Sequence, residues 1–159
     1  MAERTSPPRM SPEAVKALGG VYNYVLGCGL EKPLIDLVFL RASQINGCAF
    51  CIDMHARDLI EGGMNVEKIL LVPAWREAGA YFSARERAAL AWTETVTLLA
   101  ETKVPDADLA AAEGAFQDKE LADLTLAIGL INLYNRNNVA LRRPPASLAR
   151  REAREPARA

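Results

Sequence analysis

At 159 residues the chain has the length of one domain, long enough to bury a core of its own. Half of its residues are hydrophobic and a quarter charged, with a net charge of −1, which is ordinary for a soluble globular protein and no reason to expect nucleic acid as a partner. No stretch approaches the roughly 18 apolar residues of a membrane span, the N-terminus lacks the apolar region of a secretion signal, and an odd number of cysteines argues against a secreted disulfide scaffold. The expected setting is the cytoplasm, where a C-x-x-C pair is more often catalytic or metal-binding than structural.

The chain reads as helices throughout, without the alternating runs and hairpin turns of strands. Residues 1–10 are expected to be a flexible lead-in. Ser11-Pro12-Glu13 is a helix start, with a Ser cap, Pro at the first helical position and an acid in the first turn. That helix is expected to stop in Gly27-Cys28-Gly29. A second begins near Lys32-Pro33 and runs toward Asn46-Gly47, and a third opens at Cys48 and ends at Gly62-Gly63. Asn65 caps a short piece that Pro73 cuts. Ser83-Ala84-Arg85-Glu86 is a capping box opening a helix through Leu90, Trp92, Val96 and Leu99. Pro105-Asp106 starts another short helix. Asp118 is expected to cap the last long one, with Leu121, Leu124, Leu126, Ile128, Ile131 and Leu133 on a wide apolar stripe. The expectation is a single all-α domain over residues 11–142, of about six to seven helices. From Arg142 to Ala159 six arginines face only Glu152 and Glu155, so residues 143–159 are expected to be a loose Arg-rich tail. The apolar circumference of the last helix, and of the segment around Val38, points to a homo-oligomer.

Two of the three cysteines and the only histidine fall in Ile45-Asn46-Gly47-Cys48-Ala49-Phe50-Cys51-Ile52-Asp53-Met54-His55. On a helix, Cys48, Cys51 and His55 lie within roughly 60° of one another. Gly47 suits a turn that sets both cysteines in the first helical turn, where free backbone N–H groups and the positive dipole end favour a thiolate. His55 lies one turn past Cys51 and two past Cys48, so distance pairs the imidazole with Cys51. Ile52 and Leu59 share that face, with Asp53, Arg57, Asp58 and Glu61 on the other. The imidazole is therefore expected to be buried and to need an orienting partner, for which Asp36 on the preceding helix is the natural choice. Two other readings use the same residues: two small thiols serving only as core, or a zinc site of Cys48, Cys51, His55 and Asp36. Zinc sites usually divide their ligand pairs across a loop, whereas here three share one short helix.

The run from Arg41 to His55 resembles the core of the alkyl hydroperoxidase D-like branch of the carboxymuconolactone decarboxylase family. That family's motif is an acid, eleven residues, Cys, two residues, Cys, three residues, His. Asp36, Cys48, Cys51 and His55 match its spacing, with Asp where the family usually has Glu. Asn132-Leu133-Tyr134-Asn135-Arg136 is similar to a segment of the peroxidase-related members. The resemblance implies an all-helical fold assembled as trimers or hexamers, and thiol-dependent reduction of hydroperoxides. It implies that Cys51 attacks the peroxide, Cys48 resolves the sulfenic acid as a disulfide, His55 is the base and Asp36 the relay acid. It implies no bound cofactor, but an external dithiol reductant: a lipoyl or thioredoxin-like protein, or a small thiol. The alternatives are a redox- or zinc-binding module without turnover, and a decarboxylase or lactone enzyme of the parent family, whose chemistry has no need of a C-x-x-C.

Overall fold

The computed structural model describes residues 11–148. These form α1 (Pro12–Gly27), α2 (Lys32–Ile45), α3 (Ala49–Glu61), α4 (Val66–Leu70), α5 (Ala84–Thr97), α6 (Leu99–Thr102), α7 (Asp106–Glu113) and α8 (Asp118–Ala140), with 3-10 turns at Val72–Ala74 and Gly79–Tyr81. No strand occurs among the described residues. Six of these helices are eight residues or longer, and the other α segments are single turns. Among the described residues no helix is long and apolar enough to cross a membrane.

Local chemistry sets most of the boundaries. At the end of α2, Gly47 takes the left-handed region with φ +65°. Its N–H bonds to Gln44 C=O at 3.2 Å, and the Cys48 N–H bonds to Ser43 C=O at 2.9 Å. This paired Schellman closure reverses the chain and delivers Cys48 to the start of α3. The same closure ends α3, with Gly63 at φ +83° and bonds from Gly63 to Ile60 and from Met64 to Leu59. Ser83 and Glu86 make both bonds of the capping box at α5, and Asn65 caps α4.

Two helix boundaries differ from expectation. Helix α5 ends at Thr97 rather than running through Leu99, because Leu98 leaves the helical region and α6 begins after it. Gln117, not Asp118, caps α8: the Glu120 carboxylate accepts from the Gln117 N–H at 3.0 Å, and Asp118 is the first helical residue. The end of α8 closes with Arg142, a non-glycine residue at φ +55°, whose following residue bonds back to Asn138 C=O at 2.9 Å. Beyond it, two contacts join residues 143–148 to α3. Arg143 stacks on Phe50 at 3.8 Å from the ring centroid, and the Ser147 N–H donates to Asp53 at 3.0 Å. The expected flexible segment 1–10 and the rest of the Arg-rich tail, 149–159, lie outside the described residues.

Helix α2 is the axis of the packing. Leu34 through Leu40, together with Ala42 and Ser43, are all buried, and α2 packs on α3, α5 and α8. One side of it joins a core with Val25, Ile128, Ile131, Cys48 and Cys51. Leu37 and Leu40 face a second core of Leu59, Ile69, Val72, Trp75, Phe82 and Leu90. The apolar surface around Val38, read from sequence as a surface for another subunit, is thus covered by the chain itself. A helix apolar all round is buried in its own domain when neighbours surround it. On α8 the stripe divides: Leu121, Leu124, Ile128 and Ile131 are buried, whereas Leu126 and Leu133 are about two-fifths exposed, at 42% and 39%.

Candidate active site

The α2–α3 turn places Cys48 at the N-cap of α3 and Cys51 in its first turn. Both sulfurs are buried free thiols, and the Cys48 thiol donates to Cys51 Sγ at 2.8 Å. Asn138 Nδ2, from α8, donates to the same sulfur at 3.2 Å. The hydrogen bond from Cys48 lowers the Cys51 pKa most. Burial works against it, and Asn138, Asn135 and Ser43 add to the lowering, so that Cys51 titrates at about 6. The same bond, with burial, pushes the Cys48 thiol far up. The pair therefore holds one negative charge on Cys51, next to the free N–H groups of a helix N-terminus.

The donors to Cys51 belong to a polar seam between α2 and α8. Asn135 Nδ2 donates to Ser43 Oγ at 2.9 Å, and Asn46 Nδ2 donates to the Oδ1 atoms of Asn132 and Asn135, both at 2.9 Å. Asn132 in turn donates to Thr97 on α5 at 3.1 Å. Asn135, Asn138 and Ser43 went unread in the sequence as groups that act on the sulfur. The available signal was three asparagines, at 132, 135 and 138, spaced by three on the apolar stripe of α8. Buried amides on such a stripe must find partners.

His55 is 1% exposed, as expected for the inner face of α3. Its pKa is lowered to about 4 by burial, with repulsion from Lys32 second, so the imidazole is neutral near pH 7. The pairing with Cys51 by spacing is not a hydrogen bond: neither ring nitrogen has a hydrogen-bond partner. Instead Nδ1 points to Asp58 Oδ2 at 3.5 Å. Asp58 was placed on the opposite face by helix angle; as the i+3 neighbour it reaches round to the ring. The Phe39 ring lies 5.0 Å from the imidazole centroid.

Asp36, expected to orient His55, is buried, but Lys32 occupies its carboxylate at 2.5 Å. Burial raises its pKa and Lys32 opposes the rise. The ligand atoms of Asp36, His55 and Asp58 all lie within 4.8 Å of one another, and this group does not include either cysteine. The set Cys48, Cys51, His55 and Asp36, read from sequence as a possible zinc site, is therefore split. The thiols face the α8 amides, and the carboxylates gather behind His55.

Cys51 and His55 both line a cavity of about 290 Å³, walled by Tyr22, Phe39, Phe50, Met54, Ile131 and Tyr134, with Asn138 and Arg143 at its polar edge. A second cavity of similar size, about 290 Å³, lies where Lys32, Asp36, Asp58 and Glu61 come together. The arrangement offers a thiolate and a neutral imidazole in one apolar chamber, with two carboxylates behind the imidazole.

The profile of the carboxymuconolactone decarboxylase family matches residues 12–95, more than half the chain. The uncharacterized protein YdfG of Bacillus subtilis is 33% identical over 147 residues, covering 92% of this chain and 99% of that protein. An alkyl hydroperoxide reductase AhpD from Rhodospirillum centenum is 40% identical over 47 residues, which is 30% of this chain and 25% of that one. Among solved structures, a protein of unknown function from Agrobacterium tumefaciens, described as a candidate antioxidant defence protein AhpD, superposes with a TM-score of 0.87 at 42% identity, covering 91% of this chain and 98% of that one. On the profile match and the near-full-length relative, the chain belongs to the carboxymuconolactone decarboxylase family.

Proposed function

We propose that the protein is a thiol-dependent peroxidase that reduces hydroperoxides through a Cys48/Cys51 dithiol–disulfide cycle. The observation that carries the reading is the buried sulfur pair, 2.8 Å apart, with Cys51 titrating at about 6 on the wall of an apolar cavity. A low-pKa thiolate beside a second thiol is the arrangement that sulfenic acid chemistry needs. The names of the AhpD relatives support the same reading.

In this scheme the Cys51 thiolate attacks the distal peroxide oxygen. A sulfur–oxygen bond forms, the oxygen–oxygen bond breaks, and the alkoxide takes up a proton and leaves as the alcohol. His55, neutral and in the same chamber, relays to the leaving oxygen the proton that it needs, which Asp36 and Asp58 draw from solvent. Oxidation removes the negative sulfur that kept Cys48 protonated. The Cys48 sulfur then displaces hydroxide from the Cys51 sulfenic acid, giving a disulfide and water. An external dithiol, carried by a lipoyl or thioredoxin-like protein or a small thiol, reduces the disulfide and is itself oxidised. Exposed Leu126 and Leu133 on α8 support assembly as a homo-oligomer, a trimer or hexamer by family resemblance.

Stopped-flow oxidation of the reduced protein with hydrogen peroxide and an organic hydroperoxide, followed by disulfide mapping, tests the scheme. Peroxide consumption with a Cys48–Cys51 disulfide is expected. Cys51→Ser abolishes consumption, and Cys48→Ser leaves a dimedone-reactive sulfenic acid at Cys51. Label on Cys48 instead of Cys51 reverses the two roles, and peroxide left unconsumed by the wild-type protein rules the reading out.

A further inference from the structure

Resting on the peroxidase reading, we propose that the substrate is an apolar-bodied hydroperoxide carrying a carboxylate, and that Arg143 receives the carboxylate. The cavity that exposes Cys51 and His55 is walled by Tyr22, Phe39, Phe50, Met54, Ile131 and Tyr134. Hydrogen peroxide needs no such chamber. At about 290 Å³ it stands at the small end of ligand cavities, sized for one aromatic ring or a short branched chain.

Arg143 is the one residue of that lining with a permanent charge. The α8 closure puts it there: Arg142 takes φ +55°, and the Arg143 N–H bonds back to Asn138 C=O at 2.9 Å. The same Asn138 side chain holds the Cys51 sulfur. The guanidinium carbon lies over Phe50, 3.8 Å from the ring centroid, so the group is held from one side by an aromatic face.

Among the described residues its donors are unspent. Arg41, Arg57, Arg76 and Arg85 each pair with a carboxylate, whereas no carboxylate among the described residues pairs with Arg143. A planar guanidinium at an apolar chamber's edge, with its fork free, matches a planar carboxylate by two parallel hydrogen bonds. The ring or chain then fills the chamber, and the peroxide group reaches Cys51. Oxygen transfer to Cys51 leaves the corresponding hydroxy acid, which departs from the same subsite.

Two measurements test this. The first uses the wild-type reduced protein and unreactive probes: para-isopropylbenzoate and neutral isopropylbenzene, each scored by protection of Cys51 from iodoacetamide. The benzoate is expected to protect about tenfold more tightly, the gain of one charge-assisted pair. Equal protection by the two probes overturns the assignment, whether or not the protein turns over peroxide. The second compares kcat/KM for para-carboxylated and plain cumene hydroperoxide. The ratio is expected to be about ten in the wild type, to fall to about one in Arg143→Gln and to recover in part in Arg143→Lys. A ratio that Arg143→Gln leaves unchanged also overturns it. Preferential protection by the benzoate with no oxidation by either hydroperoxide would sustain the carboxylate site and sink the peroxidase reading alone.

Discussion

Replacing Asn138 with leucine removes one donor to Cys51 at nearly constant side-chain shape. The amide stands 3.2 Å from the sulfur, and a hydrogen bond to a charged acceptor contributes about 1.5–3 kcal/mol. At 1.36 kcal/mol per pKa unit this is about one to two units. Cys51 should therefore move from about 6 to about 7–8. Its thiolate fraction at pH 7 would fall from about nine-tenths to between about a tenth and a half. The rate at pH 7 is nevertheless a poor readout. Thiolate nucleophilicity rises with pKa, with a slope of about 0.4–0.5, and nearly offsets the lost fraction. The informative quantity is the midpoint of the pH–rate profile for iodoacetamide alkylation, scored on the Cys51 peptide by mass spectrometry. Asn138→Leu should shift that midpoint up by one to two units, as worked above, and raise the high-pH plateau by about threefold or more. Cys48→Ala should shift the midpoint at least as far, because the Cys48 thiol is the largest contributor to the lowering. A midpoint that stays within about 0.3 unit of wild type in Asn138→Leu would refute the argument that the α8 amides stabilise the thiolate.

Burial of His55 makes the fold acid-sensitive. The unfolded imidazole titrates at 6.5 and the folded one at about 4, so below 6.5 the unfolded chain binds a proton that the folded chain does not. Stability is lost as pH falls through that window, by up to about 3 kcal/mol. Urea denaturation at pH 7, 5.5 and 4 should show a steeper loss for wild type than for His55→Phe, and parallel losses would refute burial of His55 as the cause. Gly47→Ala should cost about 1 kcal/mol, from the left-handed backbone alone, because nothing stands within 4 Å of an added Cβ; an unchanged denaturation midpoint would contradict this. Glu94 accepts from Arg41 and Trp75 at 2.8 and 2.9 Å and pairs with Arg76. Glu94→Ala should destabilise the protein by about 3–5 kcal/mol by leaving the largely buried Arg41 without its counter-charge, and a loss under 1 kcal/mol in the same assay would count against that.

Most of the helix plan was legible because its signals are local. Pro12, the Ser83–Glu86 box, Asn65, Gly47 and Gly63 each act within one turn of chain. The boundaries that went astray have physical reasons. Leu98 leaves the helix although nothing in its side chain forbids it, and Gln117 caps α8 through the Glu120 carboxylate rather than through an oxygen of the expected Asp118. The expected subunit face around Val38 vanished because hydrophobicity reports burial without reporting by what. The contacts of Arg143 and Ser147 with α3 were not legible, since a left-handed Arg142 has no sequence signature.

The sequence by itself determined that two thiols and an imidazole share the inner face of one helix that starts after a glycine turn. That follows from helical spacing and the left-handed freedom of Gly47, which no distant residue can alter. Only the tertiary structure decided which sulfur carries the charge. Cys48 donates from three residues away, but the donors that add to it come from α2 and α8, with Asn138 standing 87 residues away in the chain, and a buried charge answers to every dipole within about 4–6 Å, whatever its place in sequence. The tertiary structure also brought Arg143 to the edge of the chamber, whereas Lys32–Asp36 and His55–Asp58 are contacts inside one helix, four and three residues apart.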